Sequence, residues 1–212
     1  MKREIIPTIL VQDRLEFEGR LGIMERKIPV AQMDIMDGKF VANTTFTDPK
    51  IAARYQVDYE LDLMVADPGP ILDAWKNVAG VKRAFVHAEI KKPLAPLLKK
   101  IKAYGWEAGI AINPDTKWEA VKDALAKIDS VLFMTVYPGQ NGAPFQPKVL
   151  PKIAQFHKAH PNMIIEVDGG VNEKTLPQLR KVGVTRFAVG SAIWSAPNPL
   201  NAYKKLLQLI TK

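Results

Sequence analysis

Eight short apolar runs, rich in β-branched residues, recur roughly every 20–30 residues, and most lack the polar alternation of a half-exposed strand. They are IIPTIL from Ile5, VAQMDIM from Val30, YELDLMV from Tyr59 and VKRAFVHA from Val81. EAGIAIN from Glu107, SVLFMTV from Ser130, NMIIEVD from Asn162 and RFAVGSAIW from Arg186 complete the set. Continuous apolar character marks strands buried on both faces, as in parallel sheets covered by helices. Helical periodicity fills several of the gaps. In Pro93–Tyr104, Leu94, Leu97, Leu98 and Ile101 form one stripe with lysines opposite, and Gly105 follows as a stop. Trp118–Ile128, Val149–His157, Thr175–Val182 and Leu200–Ile210 read as further helices. Alternating strands and helices imply a parallel sheet, and eight strands close it into a (β/α)8 TIM barrel of the α/β class. An open doubly wound sheet is the alternative, but no Gly-rich dinucleotide turn follows the first run.

The length of 212 residues suits one domain, and no linker or low-complexity tract divides it, so residues 1–212 are expected to form a single barrel. The absence of cysteine excludes disulfides, thiolate metal sites and a cysteine nucleophile, and fits a reducing compartment. The start, MKREIIPTIL, is too short and broken for a signal peptide, and no stretch approaches the roughly 20 apolar residues of a membrane span. A cytoplasmic protein without a membrane partner is therefore expected. The net charge of +8 is spread along the chain and suits an attraction to anionic small molecules. No basic run interleaves with aromatics, so no nucleic-acid partner is expected. Assembly into homo-oligomers stays open.

In a barrel of this kind the chemistry sits at the carboxyl ends of the strands. Those ends carry Thr8; Gln32, Asp34 and Asp37; Asp62 and Met64; His87 and Glu89; and Asn113. On the later strands they carry Met134 and Thr135; Asp168, Gly169 and Gly170; and Gly190 and Ser191. Asp34, Asp62 and Asp168 interrupt apolar strands, where a carboxylate is costly unless paired, hydrogen-bonded or metal-bound. A polar layer satisfied by backbone donors would account for one such acid. Three aimed at one mouth favour a functional site. Gly139, Gly142, Gly169, Gly170 and Gly190, with Ser191, follow the last three strands, where glycine lets backbone amides approach a phosphate. Met36, Met64 and Met134 share one level and are expected to floor the pocket as well as fill the core.

MDIMDGKFVAN (Met33–Asn43), MTVYPG (Met134–Gly139) and EVDGG (Glu166–Gly170), in this order on successive strands, resemble the ribulose-phosphate 3-epimerase family. The likeness runs from PTIL at Pro7 to VGSAIW at Val189. It implies an isomerase that inverts carbon 3 of a ketose phosphate, most simply ribulose 5-phosphate to xylulose 5-phosphate, in the pentose phosphate pathway. The implied acid and base are Asp34 and Asp168. The methionine wall corresponds to Met36, Met64 and Met134, the phosphate loops to Gly142, Gly169, Gly170, Gly190 and Ser191, and a histidine after strand four to His87. The early serine of the family is Thr8 here. Substrate contacts are thus expected from Thr8, Met36, Met64, His87, Met134, Gly139, Gly142, Gly169, Gly170, Gly190 and Ser191.

The family binds a divalent metal through two aspartates and two histidines, and both histidines are replaced here, by Gln32 and Asp62. The corresponding set, Gln32, Asp34, Asp62 and Asp168, offers only oxygen donors, which suit magnesium or manganese better than zinc or iron. Three acids in one site need a cation or a proton between them. The protein is expected to be purified metal-free, with one acid protonated. A non-catalytic sugar-phosphate-binding barrel and an epimerase of another ketose phosphate remain alternatives. The third strand, DLMVAD, is also similar to a pattern of the orotidine-phosphate decarboxylase and hexulose-phosphate synthase group. Met64 stands where their lysine would be, which makes that group a distant relative only.

Overall fold

In the computed structural model, residues 2–139 and 142–211 are described. Eight parallel strands close in sequential order into a barrel. They are β1 (Glu4–Ile9), β2 (Val30–Met36), β3 (Asp58–Met64), β4 (Val81–His87), β5 (Glu107–Ile112), β6 (Ser130–Met134), β7 (Ile164–Asp168) and β8 (Arg186–Val189). The closed ring excludes the open doubly wound sheet. Around it lie α1 (Arg14–Met24), α2 (Pro49–Ala52), α3 (Pro68–Trp75), α4 (Leu94–Ala103), α5 (Val149–Ala159), α6 (Leu176–Lys181), α7 (Ser191–Trp194) and α8 (Pro199–Thr211).

The strands form where the sequence places them, with two local departures. The run RFAVGSAIW is not one strand: β8 ends at Val189, and Ser191–Trp194 turns into α7. A short apolar run does not by itself distinguish strand from buried helix. The segment Trp118–Lys127 is a 3-10 helix, packed through Val121. The expected α4 stripe buries Leu97, Leu98 and Ile101.

The core has two compartments. Between sheet and helices lies a continuous shell that includes Phe17, Leu21, Leu72, Trp75, Leu98, Phe156, Leu179 and Leu206. Inside the barrel, Phe85, Ala111, Leu132 and Met134 form a separate apolar plug on β4, β5 and β6. A Cβ on Gly109 would stand 2.3 Å from the Phe85 ring, so this glycine makes room for the plug. On the other side the interior is polar. Gln32, Glu60, Asp62 and Glu166 are fully buried there, and Asp34 nearly so. At the amino-terminal end of the barrel, Arg83 lies 3.3 Å from both Glu4 and Glu60, and Arg186 lies 2.9 Å from Glu107. Among the described residues no helix is long and apolar enough to cross a membrane.

Candidate active site

Strand register sets the geometry. Asp34 pairs with Asp62, Met36 with Met64, Thr8 with Gln32, and Met134 with Asp168. Side chains two residues apart share a face of a strand, so Gln32 and Asp34 both point into the barrel. Asp34 and Asp168 then meet from β2 and β7, with β1 and β8 between them in the ring.

Gln32 lies between these two acids. Its Nε2 donates to Asp34 Oδ1 at 2.6 Å and to Asp168 Oδ2 at 2.6 Å. Asp62 is bonded from the other side, with His87 Nε2 3.2 Å from its Oδ1. His87 Nδ1 is 3.6 Å from Glu89 Oε2. Glu89 in turn accepts from the backbone N–H of Asn113 at 2.8 Å and from the Thr116 hydroxyl. Burial raises Asp34 well above the ordinary carboxylate range, with Asp168 and Asp62 adding repulsion; the Gln32 and Thr8 hydrogen bonds oppose this. Burial also pushes Asp168 up to about 7, helped by Asp62 and opposed by Gln32. Burial would lower His87, but the Asp62 and Glu89 carboxylates outweigh it and push it up to about 9.

Above the acids lies a cavity of about 50 Å³. Asp34, Asp168, Thr8, Met36, Met64 and Met134 line it, with Gly139, Gly142, Gly169, Gly170, Gly190 and Ser191. The structure thus gathers nearly every expected contact residue in one place. His87 is the exception: it is wholly buried behind Asp62, against the Phe40 ring, and does not reach the cavity wall. Leu10, Val136, Pro138, Ala143 and Val171 also line the cavity and were not singled out from sequence. Leu10, Val136, Pro138 and Val171 lie one to four residues beyond strand ends and Ala143 nine, in the turns that strand reading stops short of. The glycines are required by geometry. Gly169 has φ +109°, and a Cβ there would fall 2.3 Å from Val136. Gly170 has φ +63° and presses on Phe145.

Asp34, Asp62 and Asp168 form an acidic cluster with ligand oxygens within 4.8 Å of one another, and such oxygens suit a hard divalent cation. Asp62 Oδ2 has no partner. Gln32, however, does not fit as the fourth ligand. It turns its N–H2 group toward the acids, and its carbonyl Oε1 has no partner. Two carboxylates can accept only from the nitrogen end of the amide. Asp34 and Asp168 each accept a hydrogen from the Gln32 nitrogen, so Gln32 does not present its oxygen to them as the expected four-ligand set requires.

A closed parallel barrel that gathers acids and glycine turns at the carboxyl ends of its strands defines a small-molecule enzyme of the (β/α)8 class. Comparison with known proteins narrows the class. Residues 4–194 match the model of the ribulose-phosphate 3 epimerase family, to which this chain belongs, and that membership makes it an isomerase. The ribulose-phosphate 3-epimerase of Bacillus subtilis (strain 168) is 33% identical, covering 96% of this chain and 97% of the relative. That of Eremothecium gossypii is 30% identical, covering 92% and 88%. Among solved structures, 3-hexulose-6-phosphate synthase from Salmonella typhimurium superposes with a TM-score of 0.72 at 15% identity, covering 100% of this chain and 99% of that one. Orotidine 5'-monophosphate decarboxylase from Sulfolobus solfataricus gives 0.66 at 14%, covering 100% and 98%. At such identity these two share the fold alone.

Proposed function

We propose that this chain inverts carbon 3 of a ketose phosphate, D-ribulose 5-phosphate to D-xylulose 5-phosphate, with Asp34 and Asp168 as its acid/base pair and residues 1–212 as one catalytic domain. The observation that carries the reading is the pair itself: two buried carboxyl groups from β2 and β7, held to one amide at the floor of a cavity. The names of the relatives support the substrate.

Carbon 3 of the ketose lies next to the C2 carbonyl, so its proton is acidic enough for a carboxylate to remove. Asp168, pushed up to about 7, is the base in the forward direction. Its oxygen takes the C3 proton, and the C3–H electron pair moves into a C2–C3 double bond. The carbonyl π pair moves onto the C2 oxygen. Asp34, which burial and its acidic neighbours also raise, gives its proton to C3 from the opposite face. The enediolate collapses back to the ketone with carbon 3 inverted. Such chemistry needs one carboxyl group that carries a proton and one that does not. Turnover leaves Asp168 protonated and Asp34 ionised, the arrangement suited to the reverse reaction.

The phosphate end falls to the glycine turns after β7 and β8. No lysine or arginine is among the described residues lining the cavity, so backbone N–H groups of Gly170, Gly190 and Ser191 are the donors we assign to it. A cavity of about 50 Å³ is far smaller than the roughly 300 Å³ or more of ordinary ligand sites. Gly139 lies beside Val41, where a Cβ would stand 3.2 Å from the valine, and we assign substrate entry to a parting of these two loops.

The test is direct. Purified protein given ribulose 5-phosphate should yield xylulose 5-phosphate, followed by NMR. No conversion, with or without added magnesium, manganese or zinc, would remove the proposal.

A further inference from the structure

We propose that Gln32 is a positioning residue that joins Asp34 and Asp168 through its side-chain amide, in the place a shared divalent cation would otherwise take, so that this site works without a metal ion. The proposal rests on the reading of Asp34 and Asp168 as the acid/base pair.

A primary amide has two N–H bonds on one nitrogen. Here each meets a carboxylate oxygen at 2.6 Å, one on β2 and one on β7. The opposite amide orientation would press a carbonyl oxygen against the ionised Asp168 with no hydrogen between them. In this fully buried position that repulsion is costly. The nitrogen-first orientation is therefore favoured as long as no cation intervenes. It does the geometric work a cation does: it holds two carboxyl groups together and sets their planes.

The third acid needs no cation either. Asp62 Oδ1 meets the His87 ring at 3.2 Å, and Glu89, tied to Asn113 and Thr116, stands behind that ring. All three acids thus have a nitrogen partner built into the barrel. For Gln32 to serve a cation, its amide would have to turn over and break both hydrogen bonds to the acids. The two acceptors left over, Gln32 Oε1 and Asp62 Oδ2, are buried and have no hydrogen-bond partner among the described residues.

The experiment compares chelator-treated wild type, Gln32→Leu and Gln32→Glu. Binding of Mn²⁺ is read by electron paramagnetic resonance, and kcat and KM are measured for ribulose 5-phosphate. Wild type should show no stoichiometric Mn²⁺ binding at micromolar concentrations. Its kcat after chelation should stay within about twofold of the metal-supplemented value. Gln32→Leu keeps the size but loses the amide, and kcat should fall by about 10²-fold or more with KM nearly unchanged. Gln32→Glu adds a fourth carboxylate and removes both N–H donors, so Mn²⁺ affinity should rise at least about tenfold. Circular dichroism reports whether each variant folds. Tight Mn²⁺ binding by wild type, with activity lost on chelation, would overturn the proposal, as would a Gln32→Leu variant with unchanged kcat. If wild type proves inactive under every metal condition, the assigned reaction fails, and Mn²⁺ binding still decides the role of Gln32. Weak binding by wild type with a gain in Gln32→Glu upholds it, and tight binding by wild type refutes it.

Discussion

At the scale of single residues, the site depends on backbone shapes few side chains can adopt. Gly169 combines a positive φ with a Cβ position inside the Val136 side chain. Gly169→Ala should cost about 1–3 kcal/mol, because strain and overpacking act together. In a domain of this size that is a melting temperature lower by roughly 2–12 °C, read by calorimetry. A variant as stable as wild type would show that the turn after β7 has room to spare. The clustering of the three acids was legible in the sequence because acids inside apolar strands stand out. Their bonding was not. Gln32 was expected to offer its oxygen and offers its nitrogen, since the choice depends on Asp168, 136 positions away. His87 was expected at the substrate and lies behind Asp62 instead, because the interior face of β4 is taken up by Phe85 and His87 together.

At the scale of elements, Asp37 holds the loop after β2. One oxygen accepts from the N–H groups of Lys39 and Phe40, and the other from Ala66 beyond β3. Burial would raise this carboxyl, but the N–H groups of Phe40, Ala66 and Lys39 outweigh it and hold it below its usual value. A lowered carboxyl favours folding above its unfolded value, near 4, and that contribution fades as pH falls through the folded value. Asp37→Ala should therefore melt several degrees lower than wild type at pH 7, with the gap closing below about pH 4. It should also raise KM for the sugar phosphate, because Val41 rides on this loop. A gap that persists unchanged into acid would mean the loss is one of packing, not charge. The early helices were present in the sequence but not read. Asp48–Pro49 and Asp67–Pro68 place an N-cap directly before a proline at the first helical position, and Asp13 caps α1. Periodicity alone passes over helices as short as α2 and α3, whereas the cap signals mark them and α1 alike. The eight strands were legible because a covered parallel sheet leaves near-continuous apolar runs. The switch from β8 to α7 was not, because the apolar run continues across Gly190.

At the scale of the whole molecule, the barrel keeps acids in two storeys. Below the site, Glu60 and Glu166 are fully buried, face each other and have Arg83 3.3 Å from Glu60. Burial raises Glu60 well above its usual value, Glu166 adds to this, and Arg83 opposes it. A raised carboxyl keeps its proton in the folded state where the unfolded chain has lost it, so stability falls as pH rises above the unfolded value, near 4. Glu60→Gln removes that group while preserving shape. The melting temperature of wild type should drop more between pH 5 and pH 8, roughly spanning this window, than that of the variant. Equal slopes would place the proton elsewhere. The upper storey should also confer ligand selectivity. Ribulose 5-phosphate is expected to raise the melting temperature more than ribulose does, if the turns at Gly170 and Ser191 hold the phosphate as proposed. Equal shifts would count against that grip.

The most direct measurement is exchange of the carbon-3 proton of ribulose 5-phosphate with solvent deuterium, followed by NMR in wild type, Asp34→Asn and Asp168→Asn. An amide of nearly the same shape leaves the cavity intact and removes one acid/base group. Wild type should incorporate deuterium at carbon 3 and at no other carbon. Asp168→Asn should lower the rate of forward exchange by about 10²-fold or more. Asp34→Asn should block xylulose 5-phosphate formation to a similar degree. Exchange at the wild-type rate in both variants would contradict the two-aspartate site.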